Sequence, residues 1–233
     1  MERRISFWHR VINLIAPQVC VVCGERLAID EEVMCLSCNL HLPRTSHATS
    51  PLDNEMARRF WGRIPIEHAA ALFYYEAGAE MSRVIYDLKY HNHPEIGHFM
   101  GKMTAEEFAG EGFFDGIDWL QPVPLEKKRQ RQRGYNQSME IARGVSEVTG
   151  IPILENAVKR ISFQDSQTHK SLGQRLENVE NAFQPTGDTP LDGCHILIID
   201  DIVTSGATVC ACAKALLAHG DIKISVLSLG MAK

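Results

Sequence analysis

The chain has 233 residues, 45% of them hydrophobic and 23% charged, an amount and composition suited to one soluble globular domain with a small appendage. A formal net charge of −5 excludes a polyanion binder that acts through its overall charge, so any contact to phosphate or nucleic acid has to come from a local basic patch. No apolar stretch approaches the ~18 residues of a membrane span. The basic start Met1-Glu2-Arg3-Arg4 leads into no unbroken apolar core or small-residue cleavage site, so a cytoplasmic protein without membrane insertion is expected.

In chain order, Ile5, Trp8, Ile12 and Ile15 recur at helical spacing and Pro17 closes that helix. Cys20-Val-Val-Cys23 and Cys35-Leu-Ser-Cys38 follow, separated by 11 residues. Two residues between paired cysteines let both thiolates reach one ion from a tight turn, and two such pairs complete a tetrahedral S₄ site. The spacing is of zinc-ribbon type, and so small a segment would draw its folding energy from the metal. Disulfides, disfavoured in the cytosol, and an iron–sulfur cluster are the alternatives. His41 and His47 lie close by, but four thiolates already close the shell. Cys194, Cys210 and Cys212 read as small buried residues on a strand and a helix.

The organisation expected is a helix and metal module over 1–45, a linker over 46–68 with a short helix at Glu55 to Trp61, and an α/β domain over 69–233. Ala69 to Tyr75 reads as a strand. Met81, Val84, Ile85 and Leu88 mark a helix, and Ile96, Phe99, Met103 and Phe108 mark another. Alternation follows: strand Ile117 to Gln121, helix Asn136 to Val148, strand Ala157 to Ile161, helix Leu172 to Ala182, strand His195 to Ile199, helix Thr208 to His219, strand Ile222 to Leu229. Such alternation predicts a mostly parallel sheet flanked by helices, with ligands bound beyond the carboxyl ends of the strands. His91, His93 and His98 lack metal-ligand spacing and read as surface residues.

The most informative stretch runs from Ile196 to Thr208. Ile196-Leu197-Ile198-Ile199 makes a strand buried on both faces, Asp200 and Asp201 stand at its end, and Thr204-Ser205-Gly206-Ala207-Thr208 opens a helix. Small residues let backbone approach a ligand, successive N–H groups make an anion-binding nest, and the hydroxyls add donors. Adjacent carboxylates suit sugar hydroxyls or a hydrated Mg²⁺ rather than phosphate. A phosphorylated sugar satisfies both halves. Strand ends with solvated Asp and a hydroxyl cap also occur without function.

A second basic stretch follows Gln121-Pro122-Val123-Pro124-Leu125: five of the seven residues from Lys127 to Arg133 are Lys or Arg. Such runs are usually solvated faces. Its expected place, a loop between a strand and a helix starting near Asn136, favours a phosphate contact through bidentate Arg, with Gly134 allowing a tight turn.

The Asp200–Thr208 stretch resembles the signature of type I phosphoribosyltransferases that binds 5-phosphoribosyl-1-pyrophosphate (PRPP). By that resemblance Asp200 and Asp201 contact ribose hydroxyls, and Thr204, Ser205, Gly206, Ala207 and Thr208 wrap the 5-phosphate. Together with PVPL and Arg131-Gln132-Arg133-Gly134-Tyr135-Asn136-Gln137, it is similar to the ComF family (ComFC and GntX-like proteins), where the second motif reads RxRGFNQ. Here Tyr135 replaces Phe, and Glu126 stands where relatives often carry His. The resemblance implies that Arg131, Arg133, Gly134 and Asn136 face the pyrophosphate, with Lys89 of the Lys89-Tyr90 pair reaching a phosphate. Ser166-Gln167-Thr168, Leu172, Arg175, Asn178 and Ala182-Phe183 look like the family's mobile flap, with Gln167 and Arg175 over the ligand. The cysteine pattern extends the likeness to nearly the whole chain.

Two functions follow from the resemblance. One is Mg²⁺-dependent transfer of phosphoribosyl from PRPP to a nitrogen nucleophile through an oxocarbenium-like state. The chain shows no N-terminal Cys for glutamine hydrolysis. The other is a non-catalytic protein that senses PRPP or holds single-stranded DNA as a partner of DNA-uptake proteins, since ComF relatives are linked to DNA uptake in competent bacteria. Zinc knuckles and a basic loop are compatible with it. The expected cofactors are structural Zn²⁺, and Mg²⁺ with PRPP.

Overall fold

A computed structural model describes residues 17–161, 182–187 and 189–233. The helix at Ile5 to Ile15, the flap residues Ser166, Gln167, Thr168, Arg175 and Asn178, and most of the helix expected from Leu172 to Ala182 lie outside the described residues. In chain order the elements are α1 (Leu36–Leu40), a 3₁₀ turn (His47–Thr49), α2 (Glu55–Arg58), β1 (Ala69–Tyr75), α3 (Ser82–Tyr90), α4 (Pro94–Ala109), β2 (Trp119–Pro122), α5 (Lys127–Arg133), α6 (Gln137–Thr149), β3 (Val158–Arg160), β4 (Phe183–Pro185), β5 (His195–Val203), α7 (Ala207–Leu217) and β6 (Lys223–Ala232).

Four strands form a parallel sheet in the order β1-β6-β5-β2. Successive residues of β5 serve opposite faces. Leu197 and Ile199 join Leu227 and Leu229 of β6 in one core, against Val84, Ile85, Leu88, Met100, Ile141 and Val145 from α3, α4 and α6. Ile196 and Ile198 join Val226 in a second core, against Phe60, Val209, Cys212 and Leu216. Each large aliphatic buried in this way contributes roughly 1.5–3 kcal/mol of transfer free energy. Both edges of the sheet are covered. Tyr74 N–H donates to the Pro43 carbonyl at 2.8 Å outside β1, and Leu120 N–H donates to the Pro152 carbonyl at 2.9 Å outside β2.

The α4–α6 contact depends on two glycines. A Cβ at Gly101 would sit 2.1 Å from the Ile141 carbonyl oxygen, and one at Gly144 would sit 2.1 Å from the His98 carbonyl oxygen. The two backbones therefore touch directly, which holds α6, and the site residues at its start, at a fixed height above the sheet.

Several expectations are corrected. The segment expected as a linker, 46–68, is packed: His47, Met56, Ala57, Phe60 and Ile64 are buried, and its helix is the single turn of α2. The strand expected at Ala157 to Ile161 is β3, which pairs antiparallel with β4 outside the main sheet. Pro152 and Ile153 take the position beside β2 instead, and only one strand position can flank that edge. The basic run Lys127–Arg133 is a helix, not a loop. Lys, Arg and Gln are good helix formers, and Gly134 at φ 83° ends the helix in the left-handed conformation. Asp200 and Asp201 lie inside β5, which runs on to Val203. Cys194 precedes the strand and is half-buried, while Cys210 and Cys212 are buried on α7.

Candidate functional site

The site lies at the carboxyl ends of β5 and β2. Register places Pro122 beside Ile199, so the turn after β2 and the acid pair of β5 end at the same level. A cleft of about 380 Å³ opens there, lined by Lys89, Arg129, Arg133, Arg160, Asp200, Asp201, Thr204 and Thr208, with Asn136, Gln137 and Ser138 from the start of α6.

Asp201 is 9% exposed and pairs with Lys89, Nζ to Oδ2 at 3.0 Å. Asp200 accepts from Ser138 Oγ at 3.2 Å and from the Asp201 backbone N–H at 2.9 Å. Burial and the charge of Asp201 push the Asp200 carboxyl up to about 7, against the opposing pull of that N–H, Lys89 and Ser138. Asp200 is thus only partly ionised near neutral pH, and a cation or hydroxyl donors entering the cleft would favour its ionised form.

Beyond the acid pair, Ser205 Oγ accepts from the Ala207 N–H at 3.4 Å, and Gly206 takes φ 74° to start α7. The loop is held from behind by guanidiniums that the sequence did not single out: Arg59 donates to the Thr204 and Ala232 carbonyls, and Arg63 to the Ser205 carbonyl. With these carbonyls tied back, the loop backbone is fixed without using a group that faces the cleft.

On the opposite wall, Asn136 caps α6 by accepting from the Ser138 N–H and donates to the Val123 carbonyl at 3.0 Å. Arg133 donates to Gln137 Oε1 at 2.9 Å, and its guanidinium lies 5.4 Å from the Tyr90 ring centre. Gln137 is buried, and its Nε2 has no partner among the described residues, a donor available to an incoming acceptor. Tyr135 donates its hydroxyl to the Leu88 carbonyl, and burial raises its pKa to about 12, so it ties α3 to α6 as a neutral phenol.

The sequence-predicted residues divide cleanly. Asp200, Asp201, Thr204, Thr208, Lys89, Arg133 and Asn136 converge on the cleft, whereas Ser205, Gly206 and Ala207 form the turn behind it. Gly134 borders a neighbouring cavity that also reaches Asn136. Arg131 does not line the cleft; Arg129 does. The cause is helical geometry: Arg129 and Arg133, four residues apart, share a face of α5, and Arg131 points about 160° away from it. Arg160 was also missed. Its signal was a basic residue two positions after buried Val158, on the inward side of a strand.

The second grouping is the four cysteines. One Sγ from each of Cys20, Cys23, Cys35 and Cys38 lies within 4.8 Å of the others, the arrangement a single metal ion requires. Cys35 N–H donates to Cys20 Sγ at 3.4 Å and Cys38 N–H to Cys35 Sγ at 3.5 Å. Burial raises the Cys20 thiol, but backbone N–H groups of Cys23, Cys35 and Val22 outweigh it and bring the thiol down to about 7, favouring the thiolate. The module is not separate from the domain. Val22, Leu27, Met34 and Leu42 share the core with α3 and α4, and Arg83 of α3 donates to the Val22 carbonyl at 2.9 Å. His91, His93 and His98 pair with Asp87, Glu95 and Glu147 at the surface.

Comparison with known proteins bears on this arrangement. No family model matches the chain. It is 28% identical to the DNA utilization protein YhgH of Escherichia coli O6:H1 over 214 residues, 91% of this chain and 89% of that protein. It is 34% identical to competence protein F of Haemophilus influenzae over 112 residues, 48% of this chain and 49% of that one. The chain is thus similar over most of its length to a protein named for DNA utilization, and over about half of it to one named for competence. The likeness to YhgH of Salmonella typhi, 29% over 152 residues, spans 64% of this chain and 66% of that protein. Among solved structures, glutamine phosphoribosylpyrophosphate amidotransferase from B. subtilis aligns with 60% of the chain and 30% of its own, at 19% identity and a TM-score of 0.40. The fold itself is a parallel sheet flanked by helices, with a four-cysteine cluster attached. Among the described residues no helix is long and apolar enough to cross a membrane.

Proposed function

We propose that the cleft binds PRPP together with Mg²⁺, and that the four cysteines hold one structural Zn²⁺. The observation that carries the reading is the meeting, at the carboxyl end of a parallel sheet, of an acid pair with a hydroxyl loop on one side and Lys89, Arg129 and Arg133 on the other. A molecule with hydroxyls in its middle and phosphates at its ends matches that order of groups. The acid pair also fits a hydrated Mg²⁺: among the described residues the two adjacent carboxylates have one ion-pair partner, Lys89, which leaves room for a further positive charge. When bound, that ion would neutralise phosphate oxygens. Asp200 and Asp201 would orient the ribose, Thr204 and Thr208 would donate to the 5-phosphate, and the basic wall would take the pyrophosphate.

With the ligand seated this way, the chain would transfer phosphoribosyl to a nitrogen nucleophile. Its place in DNA uptake or utilization is inferred from its likeness to proteins named for DNA utilization and competence. A second reading, a PRPP sensor or single-stranded-DNA-binding accessory protein, is favoured by one observation: Lys127, Lys128 and Arg131 on α5 are exposed and point away from the cleft, open to a polyanion. Calorimetry with PRPP and Mg²⁺, run beside pyrophosphate release against a panel of bases and amines, separates the readings. Binding with release supports transfer, binding without release leaves the sensor, and no binding removes both PRPP readings.

A further inference from the structure

Arg160 has no role in any motif described above, yet it is a charge partly withdrawn from solvent. It ends β3, half-buried, with its guanidinium 5.3 Å from the centre of the Phe183 ring on β4. It lines the same cleft as the acid pair. Among the described residues its guanidinium makes no hydrogen bond or ion pair; burial and the neighbouring Arg129 disfavour its charge, and the charges of Glu126 and Asp200 and the Cys212 thiol offset them only in part. An arginine does not shed its proton, so two guanidiniums from separate elements, α5 and the β3–β4 pair, are held near each other in the ligand-free protein. Such an arrangement is unfavourable by itself and becomes favourable when a multiply charged anion sits between them.

The charges around the cleft show which anion. Lys89 is engaged by Asp201 at 3.0 Å, and Arg133 by Gln137 Oε1 at 2.9 Å. Arg129 and Arg160 are the cations left for a ligand, and they stand on the side of the cleft walled by α5 and the β3–β4 pair. The 5-phosphate end is already provided with Thr204, Thr208 and the start of α7. We infer that Arg160, together with Arg129, grips the pyrophosphate of PRPP, and that the β3–β4 pair exists at this position to carry that guanidinium to the cleft. The inference rests on the PRPP reading of the site. It adds that the two phosphate ends are recognised by different elements, so they can be weakened one at a time. The Phe183 ring, whose face the guanidinium covers, helps keep that group in place without competing for its five N–H donors.

The test measures three ligands on one protein: PRPP with Mg²⁺, inorganic pyrophosphate with Mg²⁺, and ribose 5-phosphate. In Arg160→Gln, affinity for PRPP and for pyrophosphate should fall about 10- to 100-fold, as expected for losing hydrogen bonds to a charged partner, while ribose 5-phosphate binds as before. Arg160→Lys should fall between the two, since a point charge replaces a fork. Arg129→Gln, a change at an exposed position on α5, should show the same selective loss and serves if Arg160 variants unfold. Unchanged pyrophosphate affinity in both Gln variants overturns the inference, as does an equal loss for ribose 5-phosphate, which would put Arg160 at the other end. A wild-type protein that binds none of the three ligands overturns the PRPP reading itself.

Discussion

Lys89 Nζ stands 3.0 Å from Asp201 Oδ2, so the end of α3 neutralises the end of β5 before any ligand arrives. Both side chains are mostly shielded from solvent, and removing one leaves the other's charge without a partner. Lys89→Ala should therefore destabilise the protein by about 1–3 kcal/mol, less than for a fully buried pair. Mg²⁺ should raise the melting temperature of the variant more than that of wild type, because it replaces the missing cation. Equal Mg²⁺ shifts in both would show that no ion binds at the acid pair.

Asp200 gives the site a pH dependence. Its carboxyl is raised to about 7 in the folded protein by burial and by Asp201, against an ordinary value of 3.8, so between those limits the folded state holds a proton that the unfolded state has released. Stability should accordingly fall as pH rises from about 4 to about 7, with the loss complete above that range. Asp200→Asn removes the dependence and should melt higher than wild type at pH 8, with the gap narrowing steadily as pH falls toward about 4. Binding of PRPP with Mg²⁺ needs the ionised form and should strengthen through the same range in wild type, and be largely lost in Asp200→Asn or Asp201→Asn by calorimetry. A variant profile parallel to wild type would place the titration elsewhere.

The cysteine cluster leads to a prediction about the whole domain. One zinc per chain is expected by elemental analysis, held by Cys20, Cys23, Cys35 and Cys38. Because Val22, Leu27, Met34 and Leu42 share a core with α3 and α4, loss of the metal should lower the melting temperature of the α/β domain as well as unfold the module. Cys23→Ser, at an exposed position, tests this with little change in packing. An unchanged main transition would mean that the two parts are independent.

The parallel strands were legible because Ile196 to Ile199 could only be a strand buried on both faces, and the acid pair and small-residue loop after it marked the site. What could not be read depended on three-dimensional facing. Arg131 and Arg129 are equivalent in composition, and only the phase of α5 shows which one reaches the cleft. The 46–68 stretch lacked periodicity because Phe60 and Ile64 bury themselves from turns, where no helical or strand period applies. Arg59 and Arg63 bind backbone carbonyls, a partner that leaves no mark in any side-chain pattern. The four cysteines were legible in full, since their spacing alone brings the sulfurs together.

Gly144→Ala or Gly101→Ala should be among the most destabilising single-methyl changes in the chain. Each new Cβ would fall 2.1 Å from a carbonyl oxygen of the facing helix, and backbone cannot step aside as a side-chain tip can. Separation of α4 from α6 would also lift Ser138 away from Asp200. A cost of about 1–3 kcal/mol or more, read from urea denaturation, is expected, with a parallel fall in PRPP affinity. A drop in stability with full PRPP affinity would show that the height of α6 does not matter to the site.

Any affinity for single-stranded DNA should reside on α5 and should respond to PRPP in a way set by the phase of that helix. Arg133 faces the cleft, whereas Arg131 is exposed and lies off it. A strand tracking α5 would use Lys127, Lys128 and Arg131 outside, and would compete with PRPP only where it also draws on Arg129 and Arg133. With a net charge of −5 opposing it, such binding should be weak and strongly salt-dependent. Arg131→Ala should reduce DNA affinity and lower the salt slope by about one unit while leaving PRPP binding intact. Arg133→Ala should reduce both affinities, since it removes a shared contact. Saturating PRPP should shift the DNA titration of wild type to higher concentration and should not shift that of Arg133→Ala to the same extent. If Arg131→Ala and Arg133→Ala together keep full DNA affinity and full salt dependence, the nucleic acid binds elsewhere and the basic helix serves the small ligand alone.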